Sequence, residues 1–184
     1  NLFTAAAGKG ILVEGDEDFD VPGNFTWRAL SIPYYIMGDM QIGSSSMTQL
    51  TIEAGAVLCF YQNGALSVGY EDSEYGRLIV NGTSDKHVIF TTANPSPQKG
   101  DWYGLGFYTN SSGCSLNYCE VLYGGYDEYY GAFSLNDINA NSVTLSNSRI
   151  GYSASHGIVA DAEDMIDYST VSFDNNVGDD YHVR

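Results

Sequence analysis

The 184-residue sequence predicts an all-β fold wound as a solenoid, a parallel β-helix of about six to seven coils behind an N-terminal cap or lead-in segment. Three observations predict it. Phrases that open on glycine, Gly104-Leu105-Gly106-Phe107, Gly131-Ala132-Phe133-Ser134 and Gly157-Ile158-Val159-Ala160, recur with their glycines 27 and then 26 residues apart. Each is followed by a second apolar phrase of constant internal spacing: Leu116-x-Tyr118-x-x-Val121-x-Tyr123, Leu145-x-Asn147-x-x-Ile150-x-Tyr152 and Ile166-x-Tyr168-x-x-Val171-x-Phe173. The apolar positions lie two or three apart with a polar step between, a pattern of strand, corner and strand that no globular helix would give.

If like residues stack in successive coils about 4.8 Å apart, Leu116, Leu145 and Ile166 form one interior column and Val121, Ile150 and Val171 a second. Asn147 falls at the polar corner, where its amide can satisfy the turn, but Tyr118 and Tyr168 take that place on the adjoining coils, so an asparagine ladder would be one rung high.

A further succession of phrases carries a resemblance: Leu50-Thr51-Ile52-Glu53-Ala54-Gly55-Ala56-Val57, Gly64-Ala65-Leu66-Ser67-Val68, Leu78-Ile79-Val80-Asn81-Gly82-Thr83, His87-Val88-Ile89-Phe90-Thr91-Thr92 and Asp101-Trp102-Tyr103-Gly104-Leu105. Their order resembles the right-handed parallel β-helix domains, pectate-lyase-like in fold, of secreted and surface proteins of bacteria. The resemblance covers residues 27–184 and implies a right-handed fold and an extracellular or cell-surface location. It implies no activity, because the architecture serves lyases, hydrolases, adhesins and spacers alike.

Taken in order, residues 1–26 form an N-terminal extension, a cap or a strand-exchange segment, and residues 27–184 the β-helix. Gly10 to Gly15 reads as one strand. Asp16, Asp18 and Asp20 resemble the start of a calcium loop, but position six is Val21 and position twelve Trp27, so a solvated acidic turn is expected and calcium is the alternative. Pro33-Tyr34-Tyr35-Ile36 and Met40-Gln41-Ile42 suit a lid over the first coil. Residues 50–60 with 65–68, and 78–80 with 88–92, supply coils. Residues 70–76 and the proline-bearing 94–100 are loops.

Between Gly124 and Gly131, Tyr126, Asp127, Glu128, Tyr129 and Tyr130 make one excursion. Rings that stack and carboxylates that accept hydroxyl hydrogen bonds suit a platform for a surface glycan or a protein partner. The plainer reading is that some rings cover a neighbouring loop.

Catalysis finds little support. Arg149 is the one basic residue inside a repeat. It should point to solvent opposite Glu120 and Thr170, so an Arg-Glu pair across the ladder is expected in place of a lyase base. Asp161, Asp164 and Asp167 fall in one short connection and read as a solvated turn. His87, His156 and His182 share no ligand spacing on a recognisable element. Asn24, Asn81 and Asn110 head Asn-x-Ser/Thr sequences that a eukaryotic secretory route could glycosylate.

The net charge of -16, with seven Lys plus Arg, argues against nucleic acid or an anionic membrane surface, and no apolar run is long enough to insert in a membrane. Of the three cysteines, Cys114 and Cys119 could be bridged only across a bent strand, and free thiols are expected for them and for Cys59. A start at Asn1 suggests a mature protein or an excised domain. Residues 181–183 read as a strand that ends on an open coil, which residues 1–13 of another copy could complete head to tail, growing a filament. The sequence thus predicts a non-enzymatic extracellular structural or adhesive module without a cofactor. The runner-up is a carbohydrate-binding or polysaccharide-cleaving lyase or hydrolase. An ice-binding face would need a regular threonine array that the coils do not offer.

Overall fold

The structure is a computed structural model that describes residues 4–6, 10–15, 22–127, 129–140 and 142–184. Its strands are β1 (Thr4–Ala6), β2 (Gly10–Glu14), β3 (Gly23–Trp27), β4 (Tyr34–Met37), β5 (Asp39–Ile42), β6 (Thr48–Glu53), β7 (Val57–Phe60), β8 (Ala65–Val68), β9 (Gly76–Asn81) and β10 (Val88–Thr92). They continue with β11 (Gly104–Phe107), β12 (Cys114–Asn117), β13 (Cys119–Leu122), β14 (Phe133–Leu135), β15 (Val143–Ser146), β16 (Arg149–Gly151), β17 (Ile158–Ala160), β18 (Ser172–Asp174) and β19 (Tyr181–Val183). No helix occurs among the described residues.

Three sheets take these strands, in the orders β1-β2-β4-β7-β10-β13-β16-β18, β19-β17-β14-β11-β8-β5 and β15-β12-β9-β6-β3. From β3 to β17 the chain visits the third, first and second sheets in strict rotation. All of the strand pairings are parallel except that of β1 with β2. Parallel neighbours reached by a full circuit of the other two sheets make the chain an all-β solenoid.

Alternation of side chains decides which way each strand faces. In β6, Thr48, Leu50 and Ile52 are buried while Gln49 and Thr51 are half-exposed and Glu53 is exposed, a period of two that puts the apolar set inside. The columns then follow from register. Ile52, Val80, Leu116 and Leu145 lie rung over rung in the third sheet. Leu58, Phe90, Val121 and Ile150 do so in the first, and Met40, Leu66, Leu105, Phe133 and Ile158 in the second. Each such residue is almost wholly shielded from water, and each contributes about 1.5–3 kcal/mol of burial.

Two columns depart from the sequence reading. The rung above Ile150 is Phe173, not Val171, and Arg149 faces Ser172, not Thr170. Ile166 is buried but lies outside the strands, because the third sheet ends at β15 among the described residues. Residues 161–171 fold instead as turns: the Asp167 carboxylate accepts the Ser169 N–H at 2.9 Å and the Tyr168 carbonyl accepts the Val171 N–H at 2.9 Å. Constant spacing in the sequence therefore hides a slip of two residues in the third phrase.

The N-terminal half is also more regular than expected. Tyr34–Met37 pairs on both sides, with β2 and β7, and Asp39–Ile42 pairs with β8, so these residues are ladder strands rather than a lid. Trp27, at the end of β3, stacks on Tyr34 at 4.8 Å. Gly10–Glu14 is a strand, and β1 folds back on it antiparallel. Asp16, Asp18 and Asp20 lie outside the described residues, as do residues 1–3 and 7–9 of the segment expected to exchange.

Corners between sheets are set by residues in the left-handed region. Tyr118 and Asn147, both at φ 49°, separate β12 from β13 and β15 from β16. Tyr123, Tyr152 and Asn175 occupy the next corner at φ 65°, 59° and 54°. A left-handed tyrosine costs about 1–2 kcal/mol, and stacking of Tyr123 on Tyr152 at 4.9 Å offsets part of that. Asn147 Nδ2 donates to Asn117 Oδ1 at 2.9 Å and the Ser146 hydroxyl to the same oxygen at 3.0 Å, so the polar links at this corner run to Asn117 and not along the Asn147 column.

Candidate ligand-binding groove

The outer face of the second sheet differs from the other outer faces in the size of its side chains. Residues of β8, β11 and β14 that must point outward are Ala65 and Ser67, Gly104 and Gly106, and Ser134, while Leu66, Leu105, Phe107, Phe133 and Leu135 point inward. Small residues in register make a flat-floored trough. Gly104 has to be small for a second reason: at φ 122° a Cβ there would stand 2.7 Å from the Ala132 carbonyl oxygen.

Tyrosines wall this trough, which has a volume of about 310 Å³. Tyr108, just after β11, folds back so that its ring covers Gly106, where a Cβ would come within 2.9 Å of the ring. Tyr70 meets Tyr108 edge to face at 4.8 Å. On the opposite side Tyr103 meets Tyr126 edge to face at 5.4 Å and lies 6.3 Å from Tyr130. Tyr126 and Tyr130 are exposed, so their rings present free faces to solvent at the rim.

Two carboxylates enter the same space. Asp39, at the start of β5, accepts the Ser67 hydroxyl at 3.0 Å and the Gln41 amide at 3.5 Å. Asp127 Oδ1 accepts the backbone N–H groups of Tyr129 and Tyr130 at 3.0 and 3.1 Å, which folds the excursion back toward the trough. Burial pushes the Tyr108 hydroxyl up to about 12, helped by the neighbouring Tyr130 and by the Asp39 charge, with a Ser67 hydrogen bond pulling the other way. Tyr108 is therefore a neutral hydrogen-bonding phenol at any physiological pH.

Of the five residues that the sequence singles out in the excursion, Tyr126, Asp127 and Tyr130 line the trough. Tyr129 is the most exposed of them, and Glu128 lies outside the described residues. Sequence reasoning missed Asp39, Ser67, Tyr70, Tyr103 and Tyr108. One signal could have found the floor: Ala65-x-Ser67, Gly104-x-Gly106 and Ala132-x-Ser134 repeat a small residue at every second position of aligned phrases.

The other candidates are structural. Arg149 sits between two carboxylates, with Nη1 to Glu120 at 3.1 Å and Nη2 to Asp174 at 2.6 Å, while Glu120 also meets His87 at 3.2 Å. Burial works against the Arg149 charge, but the hydrogen bonds to Asp174 and Glu120 outweigh it and raise its already high pKa. Asp161 is engaged by Arg184 and by the Asp137 N–H. Asp167 is held below the usual carboxylate range by its Ser169 hydrogen bonds. Cys59, Cys114 and Cys119 are free thiols. The histidines depart from expectation, since His156 and His182, distant in sequence, stack at 3.9 Å.

No family model, no curated protein and no solved structure shows a significant match to the chain.

Proposed function

We propose that the chain is an extracellular adhesive module, a right-handed pectate-lyase-like β-helix of six to seven coils whose tyrosine-walled trough holds a neutral sugar chain without cleaving it. The observation that carries the reading is the set of rings at the trough, Tyr70, Tyr103, Tyr108, Tyr126 and Tyr130, around a floor of glycine, alanine and serine. A pyranose offers a face of C–H bonds and a rim of hydroxyls. Tyrosine rings stack on the first, and phenol and carboxylate oxygens accept from the second. A net charge of -16 repels polyanions, so the ligand class is neutral.

Asp39 and Asp127 favour a second reading, a hydrolase with paired carboxylates. Each, however, is held by hydrogen bonds within the protein, Asp39 by Ser67 and Gln41 and Asp127 by two backbone N–H groups. They read as acceptors fixed in place for hydroxyl groups.

Calorimetric titration with neutral and acidic oligosaccharides, alongside assays for new reducing ends and unsaturated products, tests the proposal. Saturable binding of a neutral chain, lost in Tyr126→Ala/Tyr130→Ala, with no product released, is the expected result. Preference for an acidic chain overturns the ligand class, and product release replaces adhesion by catalysis.

A further inference from the structure

We propose that His156, Asp179 and His182 form a binding site for a zinc-class transition-metal dication that fastens the last strand to the solenoid. The site is separate from the trough and does not depend on the ligand proposed for it. The topology assembles it from distant sequence. His156 immediately precedes Gly157 and β17, and His182 lies in β19, which pairs with β17 in the register Val159 to His182. Asp179 is joined to the same rung because its carbonyl accepts the Gly157 N–H at 2.9 Å.

The three side chains lie close together. The two imidazoles are stacked at 3.9 Å and only 13° from parallel, so their in-plane lone pairs run side by side and the His182 ring has to turn out of the stack to share an ion with His156. Both Nδ1 atoms lie near one carboxylate oxygen: Asp179 Oδ2 is 3.7 Å from Nδ1 of His156 and 3.4 Å from Nδ1 of His182. Around a tetrahedral zinc with bonds of about 2.0–2.1 Å, ligand atoms stand about 3.3–3.4 Å apart. One ligand atom from each of the three residues lies within 4.8 Å of the others, so up to about 1.5 Å of closure together with rotation of the half-exposed His182 ring completes the set.

The surroundings are built closely around His156. Gly178 lies against its ring, so that a Cβ there would stand 2.5 Å from Nδ1, and the Gly178 N–H donates to the Ser155 carbonyl at 2.9 Å. The His156 carbonyl accepts the Ala132 N–H at 3.1 Å, which ties the residue into the neighbouring circuit. His156 Nδ1 also accepts the Asp179 backbone N–H at 2.9 Å, and a bound ion would compete for that lone pair. Two imidazoles with one carboxylate select zinc, cobalt, nickel or copper over calcium, which prefers an all-oxygen shell. Asp179 is mostly exposed, which leaves the remaining coordination positions to water. An ion here joins β19 to the start of β17 and so stabilises the C-terminal circuit by mass action.

The test uses the full chain, freed of metal by a chelator, with calorimetric titration of Zn²⁺, visible absorption of Co²⁺ and thermal unfolding. The expected result is one saturable site per chain, a Co²⁺ spectrum of low coordination number, and a midpoint that rises with Zn²⁺. His182→Ala and Asp179→Asn, both at partly exposed side chains, should each weaken binding at least about tenfold, the loss that even an outer-shell change brings to metal sites. Without metal their unfolding midpoints should stay close to that of the parent. His87→Ala should leave binding unchanged. Absence of a saturable site overturns the proposal, as do binding that survives both substitutions, binding lost in His87→Ala, or displacement of Zn²⁺ by excess Ca²⁺.

Discussion

Trp102 lies flat on Phe60, with ring centroids 4.1 Å apart and planes 9° from parallel, and both side chains are fully shielded from solvent. The indole Nε1–H donates to the Leu122 carbonyl at 2.8 Å. One side chain in the connection before β11 thus joins the ends of β7 and β13. Trp102→Ala should cost about 3–5 kcal/mol, the range for deleting a buried aromatic, as a shift in the urea unfolding midpoint at unchanged slope. Trp102→Phe should recover part of this and leave the Leu122 carbonyl without its donor. A loss below about 0.5 kcal/mol, the level of an ordinary surface change, would contradict the packing.

Replacing Arg149 by methionine should cost about 1 kcal/mol at low salt, the scale of a partly exposed ion pair. The cost should shrink as salt screens the pair. Trough binding should be untouched, because Arg149 lies on the outer face of the first sheet between Glu120 and Asp174. A loss of ligand affinity in this variant would show that the wrong face has been assigned.

Burial pushes the Cys119 thiol up to about 12 and the Cys114 thiol up to about 11, from an ordinary value of 9.0, and also raises Cys59, which is half-exposed. Neutral thiols are poor nucleophiles, so Cys59 should react first with a thiol reagent while Cys114 and Cys119 wait for unfolding. The sign of the pH effect follows from linkage. Groups with folded values above their unfolded ones contribute stability that is complete below about pH 9 and falls as pH rises through 11 to 12. Unfolding midpoints measured across that window should drop, and the drop should lessen in Cys119→Ala.

Gly106→Ala tests the trough without touching the excursion. The added Cβ would meet the Tyr108 ring at 2.9 Å and displace it. Tyr108 is half-buried and packed on Tyr70, so displacing it should cost about 1–3 kcal/mol, the scale of overpacking, while affinity for the oligosaccharide falls. Unchanged affinity would remove Tyr108 from the binding surface.

Much of the fold was legible because register and burial obey a period of two. The spacing of Leu116 and Leu145, or of Val121 and Ile150, is repeated in the sequence, and these pairs are rungs of parallel ladders. What could not be read was slippage. In Ile166-x-Tyr168-x-x-Val171-x-Phe173 the same spacing is satisfied by turns that Asp167 caps, and Phe173 takes the inward rung. Strand identity depends on what lies in the neighbouring circuit, which a single phrase does not record. The trough was half visible for the same reason. Tyr126, Asp127 and Tyr130 announce themselves as a polar aromatic excursion, whereas Asp39, Tyr70 and Tyr108 come from separate circuits and meet only once the solenoid is wound. The stacking of His156 on His182 is likewise invisible until β19 is placed beside β17.

A crystal structure of the chain grown with a neutral oligosaccharide tests the central claim most directly. The account predicts sugar rings lying along the face of β5, β8, β11 and β14, stacked on Tyr126 or Tyr130, with hydroxyls on Asp39 and Asp127. Sugar bound on another face, with the trough filled only by solvent, would contradict it.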